Sequence, residues 1–245
     1  MKLQDSVVLI TGASSGIGEA TAVAFAQLGA KIIINYRENK QGAEVVLAQV
    51  KRLSNGVIVQ ADVSTESGVK HLFKEASKTF DRLDILINNA AIPTDLVPFM
   101  DAKYMDFKTM LDADLMSVFM CSQLAAKIML KQGYGKILNT SSIRGWEYGG
   151  RAPIYVAAKA GVNSFTRTLA KEVAPTVQVN AVAPRFVKTR VYDSMPKERV
   201  NGFIEQSRLK RWIEPVEIAD AFIFLAKNDA MTGQVVYVEA GAMLE

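Results

Sequence analysis

The chain has 245 residues, 49% of them hydrophobic and 22% charged, with a formal net charge of +4, so it is globular in composition and long enough for one sizeable core. No run reaches ~18 consecutive apolar residues, and Met1-Lys2-Leu3-Gln4-Asp5 is too short and too soon interrupted for a signal peptide. The single Cys121 excludes an internal disulfide, and the expectation is a cytoplasmic protein with no membrane association.

In chain order, short β-branched runs alternate with longer segments of helical period. The runs at 7–10, 31–34, 57–59, 83–87, 136–139, 177–180 and 235–238 read as seven strands. Between them, 17–28, 40–53, 66–79, 104–131 and 154–173 read as helices, and another starts near Glu214-Pro215. Near-continuous apolar strands alternating with helices imply a parallel sheet covered on both faces. No composition break, low-complexity linker or short repeat divides the chain. The expectation is an α/β protein, one doubly wound domain over 1–245, with a seven-stranded, mostly parallel sheet and helices on both faces.

The first strand ends in Thr11-Gly12-Ala13-Ser14-Ser15-Gly16-Ile17-Gly18, and a helix begins inside that motif. Glycines at this spacing let the backbone turn tightly, approach a pyrophosphate and pack the helix on the sheet, while the helix N-terminus presents free N–H groups. An ordinary Gly-rich turn is the bland alternative. At the end of the second strand the chain reads Asn35-Tyr36-Arg37-Glu38. A basic side chain there accommodates a ribose 2′-phosphate and an acidic one a 2′-hydroxyl, so Arg37 favours NADP and Glu38 keeps NAD open.

Further on, Ser142 is followed by Tyr155 and Lys159. A Tyr and a Lys four apart on a helix share a face. A fixed ammonium favours the phenolate, and bringing a phenol from near 10 to ~7 takes roughly 4 kcal/mol of differential stabilisation. On this basis Tyr155 exchanges a proton with a substrate oxygen, Lys159 tunes it and Ser142 holds the same oxygen. The alternative is a half-buried helix whose Tyr and Lys merely snorkel.

Other signals are weaker. Cys121 sits in an apolar helical run and reads as a core residue, and His71 as surface, so no metal site is expected. Between 185 and 211 eight basic residues face three acidic ones, leaving the rest of the chain about neutral. Such charges are usually solvated, although they can gather an anionic ligand. Nothing resembles a recognition helix or a stacking platform, so no nucleic-acid partner is expected. The segment 186–212, with weak periodicity, Pro196, Gly202 and many charges, suits a lid over an active site.

Together Thr11-Gly-x-x-x-Gly-Ile-Gly18, Asp62-Val63, Asn88-Asn89-Ala90, Ser142, Tyr155-x-x-x-Lys159 and 184–189 resemble, in order and over nearly the whole chain, the short-chain dehydrogenase/reductase family. The resemblance implies a Rossmann-type fold and hydride transfer between a nicotinamide cofactor and a ketone or secondary alcohol. It implies that Gly12, Ser14, Ser15, Gly16, Ile17 and Gly18 hold the phosphates, that Asp62 and Val63 flank the adenine, and that Asn89 borders the cleft. Tyr155 and Lys159 then meet the nicotinamide ribose side, and the Val187 backbone meets the carboxamide. Asp62 capping a turn, and Asn88 and Asn89 tying strands together, stand beside those roles. Homodimers or homotetramers are also implied; small residues on the helix of Tyr155 (Ala157, Ala158, Ala160, Gly161) permit close approach.

The departures narrow the expectations. Asp114 stands where the family has a catalytic Asn, which removes an amide donor and, if ionised, sets a negative charge toward Lys159. Pro184-Arg185 replaces Pro-Gly, and with Arg144 and Trp146, and further Tyr148 and Arg151, it suggests a substrate carrying an anionic group beside aromatic contacts. Three functions follow: an NADP-dependent carbonyl reductase or alcohol dehydrogenase, its nearest subclass a 3-oxoacyl-carrier-protein reductase; a catalytically weakened NADP-binding regulator; or a purely structural interaction protein. Gly133 and Pro175, where carrier-docking residues tend to be basic, weigh against the carrier-protein subclass. The intact triad weighs against the regulator.

Overall fold

A computed structural model describes residues 1–92, 99–146, 152–193 and 195–244. Seven strands, β1 (Val7–Ile10), β2 (Lys31–Tyr36), β3 (Gly56–Gln60), β4 (Ile85–Asn88), β5 (Gly135–Thr140), β6 (Val177–Pro184) and β7 (Val235–Val238), form one sheet in the order β3-β2-β1-β4-β5-β6-β7. Every pairing is parallel, where the sequence suggested only a mostly parallel sheet. Parallel strands need crossovers, and these are the helices α1 (Gly16–Gln27), α2 (Lys40–Lys51), α3 (Glu66–Thr79), α4 (Tyr104–Leu111) continuing into α5 (Ser117–Gln132), α6 (Pro153–Val173), α7 (Lys197–Glu205) and α8 (Pro215–Lys227).

Alternate strand residues feed two cores. Val8, Ile10, Ile32 and Ile34 pack with Phe25 of α1, Val46 of α2 and Phe222 of α8 on one face. Val7, Leu9, Ile33 and Leu86 pack with Leu72 of α3, Cys121 and Met129 of α5 and Leu169 of α6 on the other. Cys121 is fully buried, and burial pushes its thiol up to about 12, which leaves it a core side chain. The stretch Tyr104–Gln132 is long and apolar enough to cross a membrane by composition, but half of its most apolar window is buried inside this fold.

The structure corrects the predicted elements in three places. Strands β2 and β6 run on to Tyr36 and Pro184: the polar Asn35 is buried and hydrogen-bonded within the sheet, and Ala181 to Pro184 pair with β7 on the outer side of β6. The helix expected over 104–131 is interrupted by a π-turn at Asp112–Met116, which turns Asp114 inward. The segment 186–212, expected to be irregular, contains α7, whose Phe203 stacks on Phe186 with ring centroids 4.2 Å apart. Val200, Phe203 and Ile204 stand at helical spacing there, a signal too short among Lys197, Glu198 and Gly202 to be read as a helix from sequence.

The strand order reverses between β1 and β4, so the loops after these strands diverge and leave a crevice at their carboxyl ends. Just below it a buried polar chain crosses the sheet. The Asn88 amide donates to Ser122 and to Asn139, each at 2.9 Å, and the Asn139 amide donates to Thr166 at 2.9 Å, joining β4, α5, β5 and α6. Low dielectric strengthens each bond and makes each loss costly. Asn139→Ala leaves one N–H of the buried Asn88 amide without its acceptor and removes the donor to the Thr166 hydroxyl; it is expected to cost about 2–3 kcal/mol and lower Tm by about 5–10 °C. Thermal and urea unfolding check this, and a cost below about 0.5 kcal/mol would mean that the chain of bonds adds no stability.

Candidate active site

The loop after β1 is shaped by what touches it. Gly12 and Gly16 adopt φ of 62° and 60°, the left-handed region that favours glycine. Gly18 is required by space, since a Cβ there would come within 2.6 Å of the Asn89 amide and the Gly12 carbonyl. Asn89 donates to the Thr11 and Gly12 carbonyls at 3.0 and 3.1 Å, while the Thr11 hydroxyl accepts from the Asn89 and Ala90 amides. From β2, the Asn35 side chain accepts from the Gly12 amide at 3.2 Å. Ser15, before the first turn of α1, makes no side-chain cap, so the N–H groups of that turn are presented outward. The loop thus fits a dinucleotide: it is drawn tight against β4 and its Gly12 and Ala13 amides are held by Asn35, which leaves the amides of the first turn of α1 to meet a pyrophosphate. Ser14 belongs to the same loop, its carbonyl accepting from Asn39 at 3.2 Å.

Along the crevice, Arg37 at the end of β2 pairs with Glu38 at 3.0 Å, and both are largely exposed. Asp62 accepts from the Ser64 amide and hydroxyl at 3.0 and 2.7 Å, which supports the turn-capping alternative for it, and Val63 is buried in the core. Val187 bridges Ile213, but the bonds run through the Phe186 carbonyl and the Lys188 amide. The amide and carbonyl of Val187 itself are left out of that bridge.

The residues expected to handle the proton lie where β5 meets α6. Ser142 follows β5, is buried, and its hydroxyl accepts from the Arg144 amide at 3.2 Å. Tyr155 stands in the first turn of α6, half-buried, with the Lys159 ammonium 5.7 Å from its ring centroid. Lys159 is 3% exposed and donates to the Thr140 carbonyl at 3.3 Å. The Ser141 hydroxyl donates to Asn163 at 2.6 Å, and a Cβ on Gly145 would come within 2.7 Å of the Lys159 backbone, so the strand end and the helix are seated directly on one another.

Asp114 completes this group. Its Oδ1 accepts from the Ile92 amide at 3.1 Å, and its Oδ2 faces the Lys159 ammonium at 3.1 Å. The separation is that of a hydrogen bond but the direction is not, and the fully buried Oδ2 has no hydrogen-bond partner. The contact is therefore an ion pair. Burial pulls the Lys159 ammonium down, whereas the Asp114 carboxylate and the neighbouring Tyr155 phenol push it up, and the net is upward from its ordinary value. The pair's contribution to stability is thus present through neutral pH and is lost only as pH rises through that raised value.

Of the residues suggested as substrate contacts, Trp146 is half exposed beyond Ser142, and Arg144 stands beside it on the same short turn. Arg185 lies over the Phe186 ring, 4.7 Å from its centroid, and donates to Gln206 at 2.7 Å. Tyr148 and Arg151 fall outside the described residues. Much of the basic stretch is engaged within the protein: Lys188 pairs with Glu214, Lys210 with Glu205, and Arg211 with Glu217 through two 2.7 Å bonds.

Several residues near the site gave no signal in the sequence: Asn35, Thr140, Ser141, Asn163 and Tyr192. Tyr192 packs on Trp212 with centroids 4.8 Å apart, and burial, followed by the charge of the nearby Tyr155, pushes its phenol up to about 12. A cleft of about 510 Å³ opens beside α1 and touches Gly16, Thr189 and Arg190, but none of Ser142, Tyr155 and Lys159 lines it. The chemistry is therefore placed by the side chains and not by the cavity.

Residues 12–243 match the profile of a family described as enoyl-(acyl carrier protein) reductase. The chain is 39% identical to a 3-oxoacyl-[acyl-carrier-protein] reductase of Synechocystis, over 99% of this chain and 98% of that protein. It is 36% identical to a reductase of the same description from Staphylococcus aureus, over 98% and 99%. Among solved structures, a short-chain type dehydrogenase/reductase from Mycobacterium marinum superposes with a TM-score of 0.93 at 26% identity, covering 100% of this chain and 98% of that one. With the sheet order, the glycine loop and the Tyr155-Lys159 pair already in place, these likenesses show that the chain belongs to the short-chain dehydrogenase/reductase family and is an NAD(P)-dependent oxidoreductase.

Proposed function

We propose that this protein reduces the ketone of a 3-oxoacyl thioester with NADPH. The observation that carries the chemistry is the buried Lys159 ammonium beside the Tyr155 ring, with Ser142 at the adjoining strand end. The substrate class is supported by the relatives described as 3-oxoacyl-[acyl-carrier-protein] reductases, which match this chain over nearly its whole length.

In this scheme Gly12, Ser14, Ser15, Gly16, Ile17 and Gly18 bind the pyrophosphate, Asp62 and Val63 border the adenine, and Asn89 holds the loop. The Val187 backbone orients the carboxamide. The bound nicotinamide supplies the hydride. Ser142 donates a hydrogen bond to the carbonyl oxygen, and Tyr155 gives its proton to that oxygen as negative charge develops there. Lys159 orients the ribose side and holds a positive charge beside Tyr155.

Segment 186–212 acts as the lid, pinned at its base by Phe186, Phe203, Tyr192 and Trp212. Arg185, spread over Phe186 toward Gln206, anchors this lid in preference to meeting an anionic substrate group. Trp146 and Arg144 remain the substrate-facing pair. A homotetramer in the cytoplasm is the proposed working form.

Tyr155→Phe is expected to lower NADPH oxidation with an acetoacetyl thioester about 10²–10⁴-fold, with NADPH binding by fluorescence unchanged within a few-fold. Retained turnover would sink the assignment. Binding without turnover by the parent protein, on thioesters and simple ketones alike, would instead make it a regulator. For the cofactor, Arg37→Ala is expected to raise KM for NADPH about tenfold and leave that for NADH nearly unchanged, because only a 2′-phosphate meets the guanidinium. Equal effects on both cofactors would show that Arg37 does not choose between them.

A further inference from the structure

In this chain the ammonium behind Tyr155 is not an isolated charge. The π-turn at Asp112–Met116 drives Asp114 fully inward, and its Oδ2 stands 3.1 Å from Lys159 with no hydrogen-bond partner of its own. An amide in its place would leave the buried group at one positive charge, whereas the carboxylate brings it to zero. Loss of the Tyr155 proton then creates a net negative charge beside the buried pair.

Among the described residues, the other ionisable groups that face Lys159 do not restore the missing charge. Tyr155 is on α6 itself. Tyr192, from the lid, is a neutral phenol pushed up to about 12 by burial and by Tyr155. Asp112, on the same π-turn, is turned to Lys108 on the exposed side. Arg144 sits on the turn after Ser142, on the substrate side proposed above, and among the described residues the strand end beside Lys159 offers the neutral Thr140, Ser141 and Ser142.

We propose that Asp114 is a positioning residue that sets the pH window and the working direction of the enzyme: by neutralising Lys159 it keeps the proton on Tyr155 to higher pH, favouring carbonyl reduction over alcohol oxidation. This inference rests on Tyr155 being the proton donor proposed above. In reduction the Tyr155 O–H bond breaks as the new O–H bond forms on the substrate oxygen. The carbonyl carbon takes the hydride of the reduced nicotinamide, and the phenolate left behind regains a proton from solvent. In oxidation the phenolate must be present at the outset. The neutral Asp114–Lys159 pair therefore extends the first process toward alkaline pH and delays the second. The equilibrium between ketone and alcohol is untouched, and only the pH at which each rate rises or falls is moved. The raised Lys159, charged despite burial, supports the pair being ionic across that range.

The test is the pH dependence of kcat/KM in both directions for the parent protein and Asp114→Asn. Asparagine keeps the size and the acceptor for the Ile92 amide but not the charge. The expected result is that both limbs move to lower pH by about 1–2 units and that alcohol oxidation near pH 7 rises about tenfold or more. Limbs that stay within about 0.3 of a unit, or that move upward, overturn the inference even if the rates themselves fall, because a merely structural role lowers the plateau without moving the limbs. The parent protein supplies a second measurement that needs no variant: its alcohol oxidation is expected to be still rising at about pH 9, and a plateau by about pH 7 overturns the inference. Tyr155→Phe run alongside separates the two levels. If that variant keeps its turnover, the proton-donor assignment has failed; if it loses turnover while the Asp114→Asn limbs stay fixed, only the role of Asp114 has failed.

Discussion

Lys159 has to be charged and buried at once, and much of the site's architecture answers that demand. Removing an ammonium from water costs several kcal/mol unless its surroundings replace the lost hydration. Here the Thr140 carbonyl, at the end of β5, accepts one hydrogen bond, and the Asp114 carboxylate, on a π-turn of the neighbouring helix, supplies the counter-charge. Both groups depend on the parallel sheet. Strand β5 must end level with the second turn of α6, and α5 must start close enough to α6 for a short Asp side chain to reach across.

That registry is held by polar contacts in an otherwise apolar interior. Asn88, Ser122, Asn139 and Thr166 form a satisfied chain through four elements, and Ser141 with Asn163 fastens the strand end to α6. Apolar burial alone is non-directional and would tolerate small slides of a helix over the sheet. Hydrogen bonds with fixed partners do not, so the same bonds that stabilise the core also fix where Tyr155 and Lys159 stand relative to Ser142. A similar economy operates across the crevice, where Asn35 and Asn89 hold the glycine loop through its own backbone groups and the Thr11 hydroxyl accepts from the Ala90 amide.

The segment 186–212, proposed above as a lid, is built on different principles. Phe186, Tyr192, Phe203 and Trp212 pack ring on ring, and Arg185 lies over the outermost of them. Aromatic contacts of this kind are worth about 0.5–1.5 kcal/mol each beyond their burial and can slide without breaking a specific bond. These rings all belong to the segment itself and hold it together as a unit, whereas the floor of the site is tied by hydrogen bonds to fixed partners.

The sequence by itself determined the parallel α/β architecture, because apolar strand runs alternating with helical periods have few other ways to bury their surface. It also pointed to the glycine loop and to Ser142, Tyr155 and Lys159 as candidates, since those residues stand at short or motif-fixed spacing. Tertiary structure alone decided the rest. No local pattern distinguishes Asn35 or Asn139 from a surface amide, because their partners are about 20–50 residues away and come near only through the sheet. The helical period of 104–131 gave no sign of the π-turn, yet that one extra residue in the turn aims Asp114 at Lys159. The basic stretch after β6 looked from composition like a trap for anions, whereas in the fold Lys188, Lys210 and Arg211 face acidic partners, one of them nearby in sequence and two on or beside α8. Composition counts charges, and only the packed chain decides which of them meet.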